Sequence, residues 1–496
     1  MRSIYFVANF SLLGVSLASV ISAGVDTNFF SSPDATCEFF KQNYPNVTFL
    51  PSDSLYTNES QVSWSSSAWL KPACIFAPAN AKQLSDAVKR LAQTQTLFAM
   101  RGGGHMPISN AANINSSGIL ISSSNLKLLQ LSDDKQTLST GPGNRWGDVY
   151  SYLEGTGLTV VGGRLGAVGI PGFVLGGGVS FFSYEYGFTS TNGNTRGFEC
   201  VLANGTIVQA IPTNEYSDLF WALQGGGNSF CLVTRIDLRT LYAPKVMVGD
   251  ATYGTEVKDQ WLDSIYNFAI NGDSDPKGAI TPVARFGQGS TAVEYDSTLF
   301  YNGNNTRPDV LKDWLNGTLT PITSTFASRS MGEWGALERS AFEPGGAGYG
   351  FRQRFHVMPM RASREVIRIM HDTYFAGVEA QLADLNGFFT GLAFNPLPQI
   401  EEPVFWVEES YTWADEADDD KIDAFIKSVN ANVSAALERI NATSRFLYLN
   451  DADADQKVFQ SYPAENVQRL KEIRSKYDPD MVFTKLMPGG FKVEYA

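Results

Sequence analysis

The chain has 496 residues, 43% of them hydrophobic, and a formal charge of −13. That length suits two domains and that apolar content a large buried core. An acidic chain gains no counterion release on nucleic acid and is not drawn to anionic lipid, so no nucleic-acid or membrane partner is expected and small-molecule chemistry fits better.

Arg2 precedes an apolar stretch from Ile4 to Ile21 that ends in Ser22-Ala23-Gly24. This is the pattern of a secretory signal peptide over residues 1–23, and it predicts a secreted protein. Asn9, Ser11, Ser16 and Ser19 interrupt the stretch, which makes it a poor membrane span, and no later apolar run is long enough for one. Sequons begin at Asn46, Asn58, Asn115, Asn204, Asn304, Asn316, Asn432 and Asn441, in keeping with the secretory route. In an oxidising compartment Cys37 and Cys74 could form a disulfide. Cys200 and Cys231 lie in strand-like apolar surroundings and read as buried thiols. No cysteine has the spacing of a metal site, and three histidines leave little to build one from, so no metal is expected.

Residues 24–70 form an N-terminal arm. Residues 71–245 alternate helical and strand-like pieces. Ala81 to Leu91 has helical spacing, with Leu84, Val88 and Leu91 on one face. Leu97 to Met100, Ile119 to Ser122 and Ile207 to Ala210 read as strands. That suits an α+β domain. The strand ending at Met100 runs into Arg101-Gly102-Gly103-Gly104-His105. Glycines after a strand let backbone N–H groups approach a phosphate, and the histidine offers a neutral nucleophilic nitrogen. A second glycine segment, Val161 to Gly178, is too apolar for a linker and too rich in glycine for a helix. Backbone packed around a flat or charged ligand explains it better. A third is Gln224-Gly225-Gly226-Gly227-Asn228. None clearly meets the dinucleotide fingerprint, and none ends in Lys-Ser/Thr as a P-loop would.

From Met247 to Ser444 longer amphipathic pieces take over. Asp259 to Ile270, Arg364 to Ala376 and Asp420 to Ile440 read as helices, Ser297 to Tyr301 and Val404 to Tyr411 as strands. A sheet with helices on one face is expected across residues 246–444. Phe388, Phe389, Phe394, Phe405 and Trp406 either wall a hydrophobic pocket or belong to the core. Residues 445–496 should return to the domain of residues 71–245, with a helix from Asn466 to Lys476 stopping before Asp478-Pro479.

Taken in this order, the segments from about Lys71 onward resemble the FAD-binding domain of the vanillyl-alcohol oxidase superfamily, the type shared with p-cresol methylhydroxylase. Lys71 to Pro78 resembles its opening strand, Gly141 to Tyr150 its next flavin-facing stretch, and Val201 to Val208 the hairpin that follows. Tyr462 to Phe483 resembles the C-terminal element of berberine-bridge enzymes. The resemblance implies an α+β fold: a two-part FAD-binding domain (PCMH type), an inserted substrate domain with an antiparallel sheet covered by helices, and a C-terminal berberine-bridge element. It supports the Cys37–Cys74 pairing. It implies FAD as cofactor, with contacts from Arg101, Gly102, Gly103, Gly104, His105, Met106, Gly143, Gly163, Val168, Gly169, Gly172, Gly176, Gly177, Gly178, Ile207 and Phe483.

His105 matches the histidine that in this family is bonded through a ring nitrogen to the 8α carbon of the flavin. Such a bond makes the flavin a better oxidant and fixes it against the substrate. Leu165 stands where many relatives carry a second linking cysteine; leucine forms no thioether, so a single bond is implied, with a more open face and a lower potential. Val168 matches a position that controls access of O2, and a small side chain there implies an oxidase. Tyr448-Leu449-Asn450-Asp451 matches a Tyr-x-Asn-Tyr stretch, with Asp451 in place of the second tyrosine. Tyr448, Asn450 and Asp451 form the candidate catalytic set. A desolvated Asp451 could take a proton, because burial raises its pKa; Tyr448, Glu408, Glu409 and Tyr411 are the alternatives. The chain is most similar to fungal members of secondary-metabolite pathways. The expected reaction removes hydride from an alcohol or activated C–H of a small molecule and passes electrons to O2. An oligosaccharide oxidase is the second reading, and a flavoprotein-fold binding protein with little turnover the third.

Overall fold

The computed structural model describes residues 32–287, 290, 292–315, 317–398 and 403–496. The signal peptide expected over residues 1–23 and the sequon at Asn316 lie outside the described residues. Three sheets carry the chain. The first contains β1 (Thr48–Phe49), β2 (Cys74–Phe76), β3 (Leu97–Arg101) and β4 (Gly118–Ser122) in the order β1-β2-β4-β3. β2 and β3 both run parallel to β4. Parallel neighbours need a crossover, and the helix Ala81–Thr94 supplies the one into β3. The Asn80 side chain caps its first turn, accepting from the Gln83 N–H at 3.0 Å. Leu84, Val88 and Leu91 are fully buried on its inner face. The helix runs three residues past Leu91 and stops at Gln95, whose φ is 50°. A disulfide between Cys37 and Cys74 ties the helix Asp34–Asn43 to β2. Cys200 and Cys231 are free and buried.

The second sheet is antiparallel. It holds β5 (Leu129–Leu131), β6 (Thr137–Thr140), β7 (Leu158–Val160), β8 (Thr195–Val201), β9 (Ile207–Ala210) and β10 (Leu232–Tyr242), with β10 between β6 and β8. The C-terminal element returns to these two sheets. Its helix Ala464–Tyr477 docks on the helix Ser217–Ala222, where Lys476 pairs with Asp218 at 2.6 Å. Beyond it, the buried Asp478 accepts the N–H groups of Val482 and Phe483 at 2.7 and 2.8 Å. That turn drives Phe483 into the core under the first sheet, beside Cys74 and Phe98.

The third sheet is antiparallel and eight-stranded: β11 (Val246–Tyr253), β12 (Gly278–Gly287), β13 (Glu294–Tyr301), β14 (Thr323–Ser324), β15 (Ala327–Arg329), β16 (Arg352–Arg361), β17 (Phe389–Pro396) and β18 (Val404–Trp413). The helices Lys258–Asn271, Arg364–Gln381 and Asp419–Arg439 share one core with this sheet. Successive side chains on a strand point to opposite faces. On β18, Phe405, Val407, Tyr411 and Trp413 therefore join the helix-side core, while Glu408, Ser410 and Thr412 face a cavity. This is the helix-covered antiparallel sheet the resemblance implies.

Candidate active site

A cavity of about 760 Å³ lies between the cofactor sheets and the bare face of the third sheet. The turn after β3, Gly102 to Met106, forms part of its wall. So do Val168, Gly169 and Gly172 of the second glycine segment, and Gly227 and Asn228 of the third. The glycines serve two ends. A Cβ on Gly103 would overlap the backbone of Gly169, and one on Gly102 would strike the Pro171 ring. The first two glycine segments thus pack backbone against backbone. Gly172 is different: no atom lies within 4 Å of the place a Cβ would take, so a side chain there would occupy open space at the cavity wall.

Eight of the residues expected to touch the cofactor line this cavity: Gly102, Gly103, Gly104, His105, Met106, Val168, Gly169 and Gly172. Leu165 lines it as well. The others face elsewhere. Arg101 is buried at the root of the turn, paired with Glu59 at 2.7 Å and bonded to Ser122 at 2.7 Å. Gly143 abuts the Ser123 carbonyl, Gly163 the Trp146 ring and Gly176 the Asn450 side chain. Gly177 and Gly178 take positive φ in the turn that follows, with Gly178 against Phe173 and Thr189. Ile207 is 42% exposed on β9, and Phe483 is interior. Family position alone does not separate residues that touch a ligand from those that shape its walls.

His105 sits in the wall with Nδ1 buried and without a hydrogen-bond partner. Burial, and next the charge of Arg145, hold its pKa down at about 3. The imidazole is therefore neutral across the working pH range, with a free nitrogen lone pair or N–H. An orphaned buried nitrogen beside a glycine-walled cavity fits the FAD the sequence implies, since buried polar atoms ordinarily have partners.

The candidate catalytic residues meet on the same cavity. Tyr448, Asn450 and Asp451 line it, and Glu408 joins them from β18. The Tyr448 hydroxyl accepts from the Val179 N–H at 3.0 Å and from Asn450 Nδ2 at 2.8 Å, and its ring stacks on Trp406. Burial and the nearby Asp451 push its pKa up, so it holds its proton. Burial and the charge of Glu408 hold the Asp451 carboxyl well above the usual range. Burial also raises Glu408, against the pull of Arg164 and Arg285. Two such carboxyls titrate as a pair. Arg164 is fixed by Thr281 Oγ1 at 3.0 Å and Asn395 Oδ1 at 2.7 Å, and it draws both carboxyls toward ionisation.

Glu409 and Tyr411, the other candidate bases, point away. Both are buried on the helix side, bonded to each other, and Asn430 donates to Glu409 at 3.0 Å. The strand pleat separates Glu408 from Glu409. It also redistributes the aromatic set: Phe388, Phe394 and Phe405 join the helix-side core and Trp406 stacks on Tyr448, leaving Phe389 at the cavity. In their place the sheet presents hydroxyls and charges. Arg285 pairs with Asp296 at 2.6 Å, and Thr298 donates to Asp250 at 2.7 Å. Burial, and then Asp250, raise Glu338 to about 7. Sequence reasoning missed Arg164, Arg285 and Glu338. The alternation Thr281-x-Val283-x-Arg285 was the available signal for the second; nothing local marks the other two.

The family pattern described as "FAD binding domain" matches residues 72–210, and that described as "Berberine and berberine like" matches residues 447–485. The FAD-dependent monooxygenase prx3 of Penicillium roqueforti is 31% identical over 511 residues, covering 97% of this chain and 98% of the relative. The bifunctional solanapyrone synthase of Alternaria solani is 30% identical over 473 residues, covering 92% and 88%. Among solved structures, 6-hydroxy-D-nicotine oxidase from Arthrobacter nicotinovorans superposes with a TM-score of 0.74 at 20% identity, covering 88% of this chain and 96% of that one. Berberine bridge enzyme from Eschscholzia californica does so with a TM-score of 0.71 at 18% identity, covering 90% and 97%.

Proposed function

Because the chain belongs to the berberine-like FAD-dependent oxidoreductases, we propose that it is a secreted oxidase taking hydride from an alcohol or activated C–H of a small molecule. The observation that carries this reading is the Glu408–Asp451 carboxyl pair beside Arg164, on the cavity that His105 also lines. Bound FAD supplies the hydride acceptor and the return of electrons to dioxygen. The chain's own part is proton control. The ionised member of the pair takes the substrate proton as hydride leaves, and Arg164 keeps that member ionised. Asn450 holds the Tyr448 hydroxyl in place.

In this reading a ring nitrogen of His105 would hold the flavin through one covalent bond, and Leu165 leaves no second bond. Val168 faces the cavity as a small side chain and leaves O2 a path. The cysteine bridge and the N-terminal sequence pattern support secretion. The hydroxyl-lined substrate wall favours a polar, hydroxyl-bearing substrate, so an oligosaccharide is the second reading. Several relatives are named monooxygenases, which sets the test. Under anaerobic conditions an alcohol or sugar substrate bleaches the flavin band. On re-aeration with labelled O2, an oxidase returns the label as peroxide and leaves the product free of it. Label in the product overturns the oxidase reading.

A further inference from the structure

Trp64 belongs to the N-terminal arm, ahead of the region that matches the FAD-binding pattern. It is 7% exposed, and its ring lies on His105, with centroids 5.1 Å apart and planes 12° from parallel. Its Nε1–H donates to the His105 carbonyl at 2.8 Å. Its own carbonyl accepts from the Gly350 N–H at 2.9 Å. Phe342 meets the same imidazole edge-on at 5.3 Å. The arm touches the turn at two further points. Ser63 Cα lies 3.3 Å from where a Cβ of Gly104 would be, and Gly104 has φ +68°, so no side chain separates arm from turn. Glu59 pairs with Arg101 at the root of the turn at 2.7 Å.

These contacts hold both the backbone and the ring of one residue, and Trp64 uses its indole N–H on a backbone carbonyl rather than on solvent. The imidazole is left with a fixed plane and aromatic cover, and its Nδ1 hydrogen-bonds no protein group. We propose that Trp64 is a positioning residue that presents the His105 imidazole for covalent attachment of the flavin. The proposal rests on the reading that His105 carries the cofactor. Attachment forms one bond from the imidazole nitrogen to the 8α carbon and breaks the N–H and one 8α C–H bond. The two electrons and two protons released pass to dioxygen as hydrogen peroxide. An imidazole that rotates freely, or that is wet and protonated, lacks the lone pair in the required place.

The test uses the full chain, wild type and variants, obtained without flavin and incubated with FAD in air between about pH 5.5 and 8. Flavin retained on acid-precipitated protein is counted over time, and extractable flavin reports non-covalent binding. Wild type is expected to attach flavin at a rate that does not fall toward the acid end. Trp64→Ala should still bind FAD but attach it at least about tenfold more slowly, with a rate that now drops at acid pH as the uncovered imidazole protonates. Trp64→Phe keeps a ring on the imidazole and should restore most of the rate and the flat pH dependence. If Trp64→Ala is not recovered as folded protein, Trp64→Leu must show the same slow, acid-sensitive attachment. Attachment by Trp64→Ala or Trp64→Leu at the wild-type rate and pH dependence overturns the proposal. Wild-type protein that releases all its flavin into acid would instead remove the covalent reading on which it rests.

Discussion

At the scale of single residues, the chemistry turns on which groups can take a proton. Tyr448 cannot do so readily: burial and Asp451 push its pKa up. The carboxyl pair can. Asp451→Asn or Glu408→Gln should slow anaerobic flavin reduction by about 10²–10⁴-fold, the usual share of a general base. Tyr448→Phe should cost less than about tenfold. Because burial raises both carboxyls, the reduction rate should climb with pH above the ordinary carboxylate range of about 4. Arg164 lowers both pKa values, so Arg164→Met should move that climb to higher pH; a single-turnover pH profile reads it. Val168→Ile adds a methylene to the wall where O2 is expected to enter, and reoxidation in stopped flow should slow without change in reduction.

At the scale of elements, two devices hold the site's supports. The Cys37–Cys74 bridge closes a loop of 37 residues between the helix Asp34–Asn43 and β2. Replacing both cysteines by serine should lower unfolding stability by about 2–5 kcal/mol in a denaturant titration. Behind the cavity face of the third sheet, His356 on β16 faces Glu409 on β18, with Nδ1 3.3 Å from Oε1. Burial lowers the His356 pKa, but Glu409 and Asp453 outweigh it and raise it above its ordinary value. A raised folded pKa gives stability that is fully present below about pH 6.5 and is lost as pH rises through the folded value. His356→Gln should therefore cost more thermal stability at about pH 6 than at about pH 8. Glu409 and Tyr411 thus belong to the support of the strand, and Glu408 is the residue proposed for proton transfer.

At the scale of the whole molecule, the cavity exists because the third sheet turns its polar face toward the glycine segments. Much of this was legible in the sequence. The 3.6-residue spacing of Leu84, Val88 and Leu91 marked its helix, and the long amphipathic pieces marked the three helices behind the third sheet. Local periodicity carries no information about partners, so the order in which β11 to β18 pair was not legible. The meeting of Arg164, Glu408 and Asp451 was not legible either, since it brings Arg164 to two residues more than 200 positions away. The glycine clusters were visible, but not that Gly103 is small for Gly169 rather than for a ligand. Nor did any motif mark Trp64, whose part depends on the arm folding back over the turn. This cavity is proposed to hold FAD on His105 alone. Acid precipitation, digestion and mass spectrometry of the purified protein test it most directly. Flavin mass is expected on the peptide containing His105 and on no other; flavin wholly in the supernatant, or on another peptide, would rule out attachment through His105 alone.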